Sequence, residues 1–186
     1  RENFSHSWQL GAHLSEGRTL FRVWAPDASE VRVVFEHSTE SLQLDRESNG
    51  YFVGATHAAP AGTLYRYRVD GKGPWPDPCS RYQPQGVHGP SMVVDPEHFE
   101  WSDHKWRGID LAGQVIYELH IGTFTQKGTF DSAIEKLPHL RDLGITVIEV
   151  MPVCECPGRW NWGYDGVQLF APYHVYGDYD AFKRFV

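Results

Sequence analysis

The sequence is short of cysteine and of long apolar runs, and each shortage excludes a class of protein. Its three cysteines (Cys79, Cys154 and Cys156) are an odd number without the spacing of a disulfide framework or of a zinc site. Together with the lack of a basic and apolar leader, this predicts a cytoplasmic protein. No stretch approaches the about 18 apolar residues of a membrane-spanning helix, so no membrane partner is expected.

Positive charge is also scarce, with 17 Lys and Arg against 24 Asp and Glu and a net charge of −7. The sequence has no basic run, so a nucleic-acid partner is not expected. The 10 histidines are scattered, and no pair falls at i and i+4 on a predicted helix, so we predict neither a metal ion nor a cofactor. What the sequence does have is aromatic side chains, at 14% of its residues.

Residues 1–107 predict an antiparallel β-sandwich that forms an accessory domain. Three segments alternate apolar and polar residues, as half-buried strands do: Thr19–Trp24, Glu30–Phe35 and Thr63–Val69. Turn residues at 49–50 and 60–62 separate the strands, and short strands between regular turns are typical of sandwiches. We assign Trp24 to the core. The segment Gly73–Pro90, which carries five prolines, is predicted to be an ordered irregular loop.

The pattern changes at Gln114, and residues 114–186 predict a parallel α/β unit. Val115–Ile121 and Ile145–Val150 are apolar strands, and apolar residues at helical spacing lie between them. A strand, a helix and a strand in succession form a βαβ unit whose strands are parallel. Such a unit leaves strand edges open, so we expect a larger domain to continue past Val186.

Single residues predict the limits of this helical segment. Thr129 can cap its start, and Gly144 can end it in the left-handed conformation. Pro138 is expected to kink or split it, because proline removes a backbone hydrogen-bond donor. A further helix is predicted to begin between Asp178 and Val186.

The segment Met151–Gly177 is the stretch best suited to chemistry, because loops at the carboxyl ends of parallel strands form the active face of α/β barrels. Six aromatic residues lie in it: Trp160, Trp162, Tyr164, Phe170, Tyr173 and Tyr176. Flat rings cover the apolar face of a pyranose, and nearby polar residues such as Arg159, Asn161 and Asp165 can bind its hydroxyls. The composition therefore favours a sugar site, with an aromatic loop that packs on its own domain as the alternative.

Four segments resemble α-amylase-superfamily enzymes that act on glycogen-like or maltooligosaccharide substrates: Phe21–Ala28 (FRVWAPDA), Ile116–Phe124 (IYELHIGTF), Leu143–Pro152 (LGITVIEVMP) and Asn161–Pro172 (NWGYDGVQLFAP). Pro76–Pro96 and Gly122–Phe130 are more similar to maltooligosyltrehalose trehalohydrolases than to branching enzymes. The resemblance covers essentially the whole chain. It implies an N-terminal fragment, in which an immunoglobulin-like β-sandwich precedes strands 1 and 2 of a (β/α)8 TIM barrel.

The resemblance implies a hydrolase that cleaves the α-1,4 bond next to the trehalose unit of maltooligosyltrehalose, releasing trehalose for trehalose biosynthesis. Such enzymes are retaining glycosidases, with one carboxylate as nucleophile and another as acid and base. In this family the catalytic carboxylates follow barrel strands 4, 5 and 7, which lie beyond this sequence, so no catalytic residue is assigned. Glu118 and Glu149 are predicted to be structural, and the chain alone to be inactive.

The same resemblance implies one side of a sugar-binding cleft. Tyr164 matches the tyrosine that stacks under the sugar at the cleavage site, and Asp165 is expected to contact that sugar or orient its neighbours. Asn161 and Trp162 are expected to shape the loop, and His120, at the end of the first strand, to support the site. The predicted partner of these five residues is an α-glucan or maltooligosyltrehalose.

Three other functions remain open at this point. The first is a glycogen branching or debranching enzyme, of which this chain is a fragment. The second is a non-catalytic α-glucan-binding module that uses only the sandwich, which requires a platform of exposed aromatic rings. The third is a truncated reading frame without function.

Overall fold

The structure is a computed structural model that describes residues 9–186, and its first half consists of two antiparallel β-sheets. Its strands are, in chain order, β1 (Gly11–Ser15), β2 (Arg18–Trp24), β3 (Val31–Phe35), β4 (Ser41–Gln43), β5 (Asp45–Arg46), β6 (Tyr51–Thr56), β7 (Leu64–Val69), β8 (Lys72–Trp75) and β9 (Ser91–Met92). One sheet has the order β1-β2-β6-β5, and the other β4-β3-β7-β8 with β9 on β7. The prediction of antiparallel β-structure is confirmed for these strands. Residues 1–8 of the predicted sandwich lie outside the described part of the chain.

One face of each sheet is buried, as the alternation predicts. Phe21 and Val23 of one sheet and Val31, Val33 and Tyr65 of the other belong to a single core cluster. The rings of Phe21 and Tyr65 meet edge to face with their centroids 4.9 Å apart. Burial of each such large side chain contributes about 2 kcal/mol to folding, so the two inner faces hold the sheets together.

Trp24 is not part of this core, and its assignment to the core is wrong. Side chains alternate across a strand, and because Phe21 and Val23 point inward, Trp24 lies on the outer face of β2. Its side chain is 57% exposed. There its indole nitrogen donates a hydrogen bond to the carbonyl oxygen of Asn49 over 3.1 Å.

The irregular segment of the first half begins later than predicted, because Gly73–Trp75 belongs to strand β8. From Asp77 to Ser91 the chain is ordered by polar side chains that are fully buried: Asp77, Ser80, Gln83 and Ser91. The Gln83 amide nitrogen donates to the carbonyl oxygens of Gly86 and Gly89 over 3.1 and 3.2 Å. Buried polar groups need such partners, so these bonds fix the path of a segment without regular structure.

Asp77 lies at the centre of this network. Its carboxylate accepts hydrogen bonds from the Tyr65 hydroxyl and from the Cys79 backbone nitrogen, each over 2.7 Å. Its own backbone nitrogen donates to Ser91 Oγ over 2.9 Å. Burial raises the pKa of the Asp77 carboxyl, although the hydrogen bonds from Tyr65 and Cys79 lower it.

The second half contains a parallel pair of strands, β10 (Ile116–Leu119) and β11 (Val147–Val150). Between them lie the helices α1 (Ile121–Phe124), α2 (Phe130–Ile134) and α3 (Leu137–Leu143). The predicted strand–helix–strand unit with parallel strands is therefore present. In its register Glu118 lies opposite Glu149, and both side chains are exposed.

The helical segment begins, divides and ends where the sequence predicts. The Thr129 side chain accepts a hydrogen bond from the backbone nitrogen of Ser132 over 3.3 Å and so caps α2. The helix is divided ahead of Pro138, which lies in the first turn of α3, where its missing donor costs nothing. Gly144 ends α3 in the left-handed conformation, with φ of 95°.

The long segment after β11 has secondary structure of its own. Strands β12 (Cys154–Glu155) and β13 (Gln168–Pro172) pair antiparallel, and helix α4 (Ala181–Phe185) follows, within the predicted range. Phe130 of α2 is buried, and it stacks on Phe182 of α4 with ring centroids 5.0 Å apart. Over residues 9–186 no helix combines the length and apolar character needed to cross a bilayer.

Candidate functional site

Asn161 organises the aromatic segment between β12 and β13. Its side chain is only 5% exposed. Its amide nitrogen donates to the carbonyl oxygen of Cys154 over 3.1 Å, and its amide oxygen accepts from the backbone nitrogen of Gly163 over 2.5 Å. Because both polar atoms are used within the protein, Asn161 holds the segment in shape.

Two glycines bracket Tyr164 and Asp165 and press their backbone against the preceding chain. A Cβ atom on Gly163 would lie 3.3 Å from the carbonyl oxygen of Pro152, and Gly163 has a φ of 89°. A Cβ atom on Gly166 would lie 2.9 Å from Cys154 Cβ. Tyr164 lies between these two close approaches and is 75% exposed.

His120 follows β10 and is held from three sides. Its Nε2 lies 2.5 Å from the carbonyl oxygen of Asn161 and 3.2 Å from the Tyr176 hydroxyl. Its Nδ1 lies 3.3 Å from Thr123 Oγ1. Burial raises the pKa of Tyr176 to about 12, so its hydroxyl is neutral at physiological pH. His120 thereby connects the end of β10 to the aromatic segment.

A cavity of about 660 Å³ lies between the residues that follow β10 and the aromatic segment. His120, Asn161 and Trp162 line it, together with Trp160 and Val175. Trp160 and Trp162 are 71% and 76% exposed, so most of each indole is available to a ligand. The structure thus brings three of the five predicted residues to one cavity.

Tyr164 and Asp165 are not among the residues that line this cavity. Both are exposed and follow Trp162 by only a few positions. The predicted set therefore divides into buried Asn161, half-buried His120 and three exposed side chains. An exposed ring and a carboxylate side by side can pack on a sugar face and accept hydrogen bonds from its hydroxyls.

Sequence reasoning did not find Gln126 and Lys127, which also line the cavity. They lie between Gly122 and Gly128 in the segment GTFTQKG, and that pair of glycines was the available signal.

Sequence reasoning also did not find that Glu155 is the partner of His174. Glu155 is fully buried, and its carboxylate accepts from the backbone nitrogen of His174 over 2.9 Å.

The aromatic segment Met151–Gly177 contacts the ordered segment Asp77–Ser91 of the sandwich. The Gln168 amide nitrogen donates to the carbonyl oxygen of Val87 over 3.1 Å, and the Tyr82 hydroxyl donates to that of Gly177 over 3.4 Å. The Arg81 guanidinium lies 5.7 Å from the centre of the Phe170 ring. No group of three or more His, Cys, Asp or Glu side chains within residues 9–186 is arranged to hold a metal ion.

Comparison with known proteins relates this architecture to carbohydrate-active enzymes. Residues 9–95 match the family described as carbohydrate-binding module 48 (isoamylase N-terminal domain). A crystal structure from Salmonella typhimurium, described as a "Putative alpha Amylase", matches with a TM-score of 0.90 and 40% identity over 95% of this chain and 30% of that one. The class of protein that this chain resembles is therefore the amylase-type glycoside hydrolases.

The sequence narrows this class further. The chain is 46% identical over 168 residues to a "Malto-oligosyltrehalose trehalohydrolase" of Arthrobacter ramosus, covering 89% of this chain and 29% of that protein. It is 42% identical over 177 residues to the protein of the same name from Saccharolobus solfataricus, covering 95% and 31%. The predicted resemblance to the maltooligosyltrehalose trehalohydrolases is confirmed, and the chain spans about 30% of the length of these relatives.

Proposed function

We propose that this chain is the N-terminal part of a retaining glycoside hydrolase that releases trehalose from maltooligosyltrehalose. Within the described residues, 9–107 form its immunoglobulin-like accessory domain, and residues 114–186 form strands 1 and 2 of its (β/α)8 barrel. The observation that carries the proposal is the identity of 46% and 42% to relatives of that name. The parallel pair β10–β11, with an aromatic segment following its second strand, supports the barrel assignment.

In this proposal the exposed side chains bind the substrate and the enclosed ones position them. Tyr164 stacks under the sugar at the cleavage site, and the Asp165 carboxylate accepts hydrogen bonds from its hydroxyls. Trp162 supplies a second flat surface at the cavity. Asn161 and His120 hold the segment that carries all three, because their polar atoms are engaged within the protein.

The 186-residue chain by itself is expected to release no trehalose. Retaining hydrolysis needs two carboxyl groups on opposite sides of the scissile bond, about 5 Å apart. Glu118 and Glu149 lie opposite each other within two paired strands, and neither lines the cavity beside His120. Chromatography of products after incubation with maltooligosyltrehalose checks this. Sustained release that Glu118→Gln or Glu149→Gln abolishes would contradict it.

Product analysis of the complete enzyme tests the proposed function itself. Maltooligosyltrehalose and amylose are offered separately, and trehalose, maltooligosaccharides and new α-1,6 branches are measured. We expect trehalose from the first substrate and no branches from the second. An enzyme that leaves maltooligosyltrehalose intact and branches or debranches α-glucan would replace this proposal with the branching or debranching alternative.

A second candidate function is α-glucan binding by the sandwich alone, which its match to a carbohydrate-binding module favours. Trp24 and Trp75 are 57% and 48% exposed and offer flat surfaces for sugar rings. Retention on an amylose column that Trp24→Ala or Trp75→Ala abolishes, and Tyr164→Ala does not, would support it. Trp106→Ala is the matched control, because Trp106 is 68% exposed outside the sandwich strands.

A further inference from the structure

The cavity has one wall whose polar side chains are unused. Gln126 and Lys127 line it and are exposed. Within the described residues neither side chain has a hydrogen bond or an ion pair. The polar atoms of Asn161 and His120 on the same cavity are, by contrast, already engaged. Gln126 and Lys127 therefore offer free hydrogen-bond donors to the cavity.

Two glycines fix this wall in place. A Cβ atom on Gly128 would lie 2.8 Å from the carbonyl oxygen of Gly122, and one on Gly122 would lie 2.9 Å from the His120 ring. The Gly128 backbone nitrogen also donates to Thr125 Oγ1 over 3.0 Å. The segment is thus closed tightly on itself, and Gln126 and Lys127 are held at its tip.

Another part of the cavity lining is aromatic. Trp160 and Trp162 line it, and the Arg159 guanidinium lies 5.1 Å from the centre of the Trp160 ring. Arg159 has no hydrogen bond or ion pair within the described residues, so its donors are also free. The volume of about 660 Å³ falls within the range of about 300–1,000 Å³ that is usual for ligand sites.

We propose that this cavity is a separate subsite for the glucose units of an α-1,4-glucan that lie beyond the sugar bound at Tyr164. The indoles of Trp160 and Trp162 pack on the sugar faces, while Lys127, Gln126 and Arg159 donate to hydroxyl oxygens. The ligand class is a glucan, because two exposed indoles line the cavity and flat rings are suited to sugar faces. The inference rests on the proposed function and assigns the residues that set its preference for chain length.

The test measures KM of the complete enzyme for maltooligosyltrehaloses with increasing numbers of glucose units. Lys127→Ala and Trp160→Ala are expected to raise KM for the long substrates about tenfold more than for the shortest. In Lys127→Ala the reason is the loss of a hydrogen bond to a charged group. Lys136→Ala and Trp106→Ala are matched controls, since both residues are exposed and neither lines the cavity. Circular dichroism spectra verify that the variants are folded.

The outcomes separate this inference from the proposed function. A wild-type enzyme that releases no trehalose from any length overturns the proposed function. A wild-type enzyme that is active, with variants that keep its chain-length dependence or lose affinity equally for all lengths, overturns the subsite alone. If inorganic phosphate competes with the substrate, and Lys127→Ala abolishes this competition, the cavity is an anion site. That result would also overturn the subsite.

Discussion

Replacing Tyr164 by alanine in the complete enzyme is expected to lower kcat/KM for maltooligosyltrehalose about 100-fold. The variant loses the stacking on the sugar and the ring area that the bound sugar covers. The free energy of unfolding should change by less than about 0.5 kcal/mol, as at other exposed positions. The reason is structural: the side chain is 75% exposed, and no hydrogen bond joins its hydroxyl to another described residue. Steady-state kinetics and urea-induced unfolding measure the two quantities.

Two control variants sharpen this experiment. Tyr164→Phe keeps the flat ring and should retain most of the activity, whereas loss of activity there would assign the function to the hydroxyl. Leu169→Ala removes a side chain that is 67% exposed on β13 and lies outside the predicted set. If Tyr164→Ala lowers stability as much as activity, the tyrosine is a packing residue and the stacking role is wrong.

Replacing Asp77 by alanine is expected to lower the free energy of unfolding by about 3 kcal/mol, because it leaves the buried Tyr65 hydroxyl and Cys79 backbone nitrogen without their acceptor. Asp77→Asn keeps one acceptor oxygen and should cost less. Urea-induced unfolding followed by tryptophan fluorescence measures both. Asp142→Ala, at an exposed carboxylate, is the matched control and should change stability by less than about 0.5 kcal/mol.

The effect of Asp77→Asn should depend on pH. Burial raises the pKa of the folded-state carboxyl above the ordinary value of 3.8, so the folded protein binds this proton more tightly than the unfolded chain. The resulting stabilisation is fully present below pH 3.8 and is lost as the pH rises through the folded-state pKa. The cost of Asp77→Asn should therefore shrink as the pH rises. A cost that grows with pH would show that the hydrogen bonds to the carboxylate outweigh its burial.

Short-range chemistry in the sequence predicts much of this fold. Alternation identifies β2, β3 and β7 because each strand has one buried face, and Thr129, Pro138 and Gly144 act on backbone groups within a few residues. The assignment of Trp24 to the core is wrong because the alternation of β2, which buries Phe21 and Val23, places even a large apolar side chain at position 24 on the outer face.

The candidate site depends on contacts that local patterns do not contain. Glu155 and His174 are 19 residues apart, and the hydrogen bond from Gln168 to Val87 spans 81 residues. Resemblance to a family indicated which aromatic and polar residues of the segment to consider. It did not show that Gln126 and Lys127 line the same cavity as Trp160 and Trp162, because that requires the packing of two separate segments.

The contacts between the sandwich and the aromatic segment limit how such proteins can be recombined. Val87 and Tyr82 belong to the sandwich side, and their partners Gln168 and Gly177 belong to the site side. A chimera that exchanges sandwiches between two relatives at the boundary near Gln114 separates these partners. Grafts should therefore carry residues 76–91 and 168–179 from the same parent, so that the interface is inherited as one block.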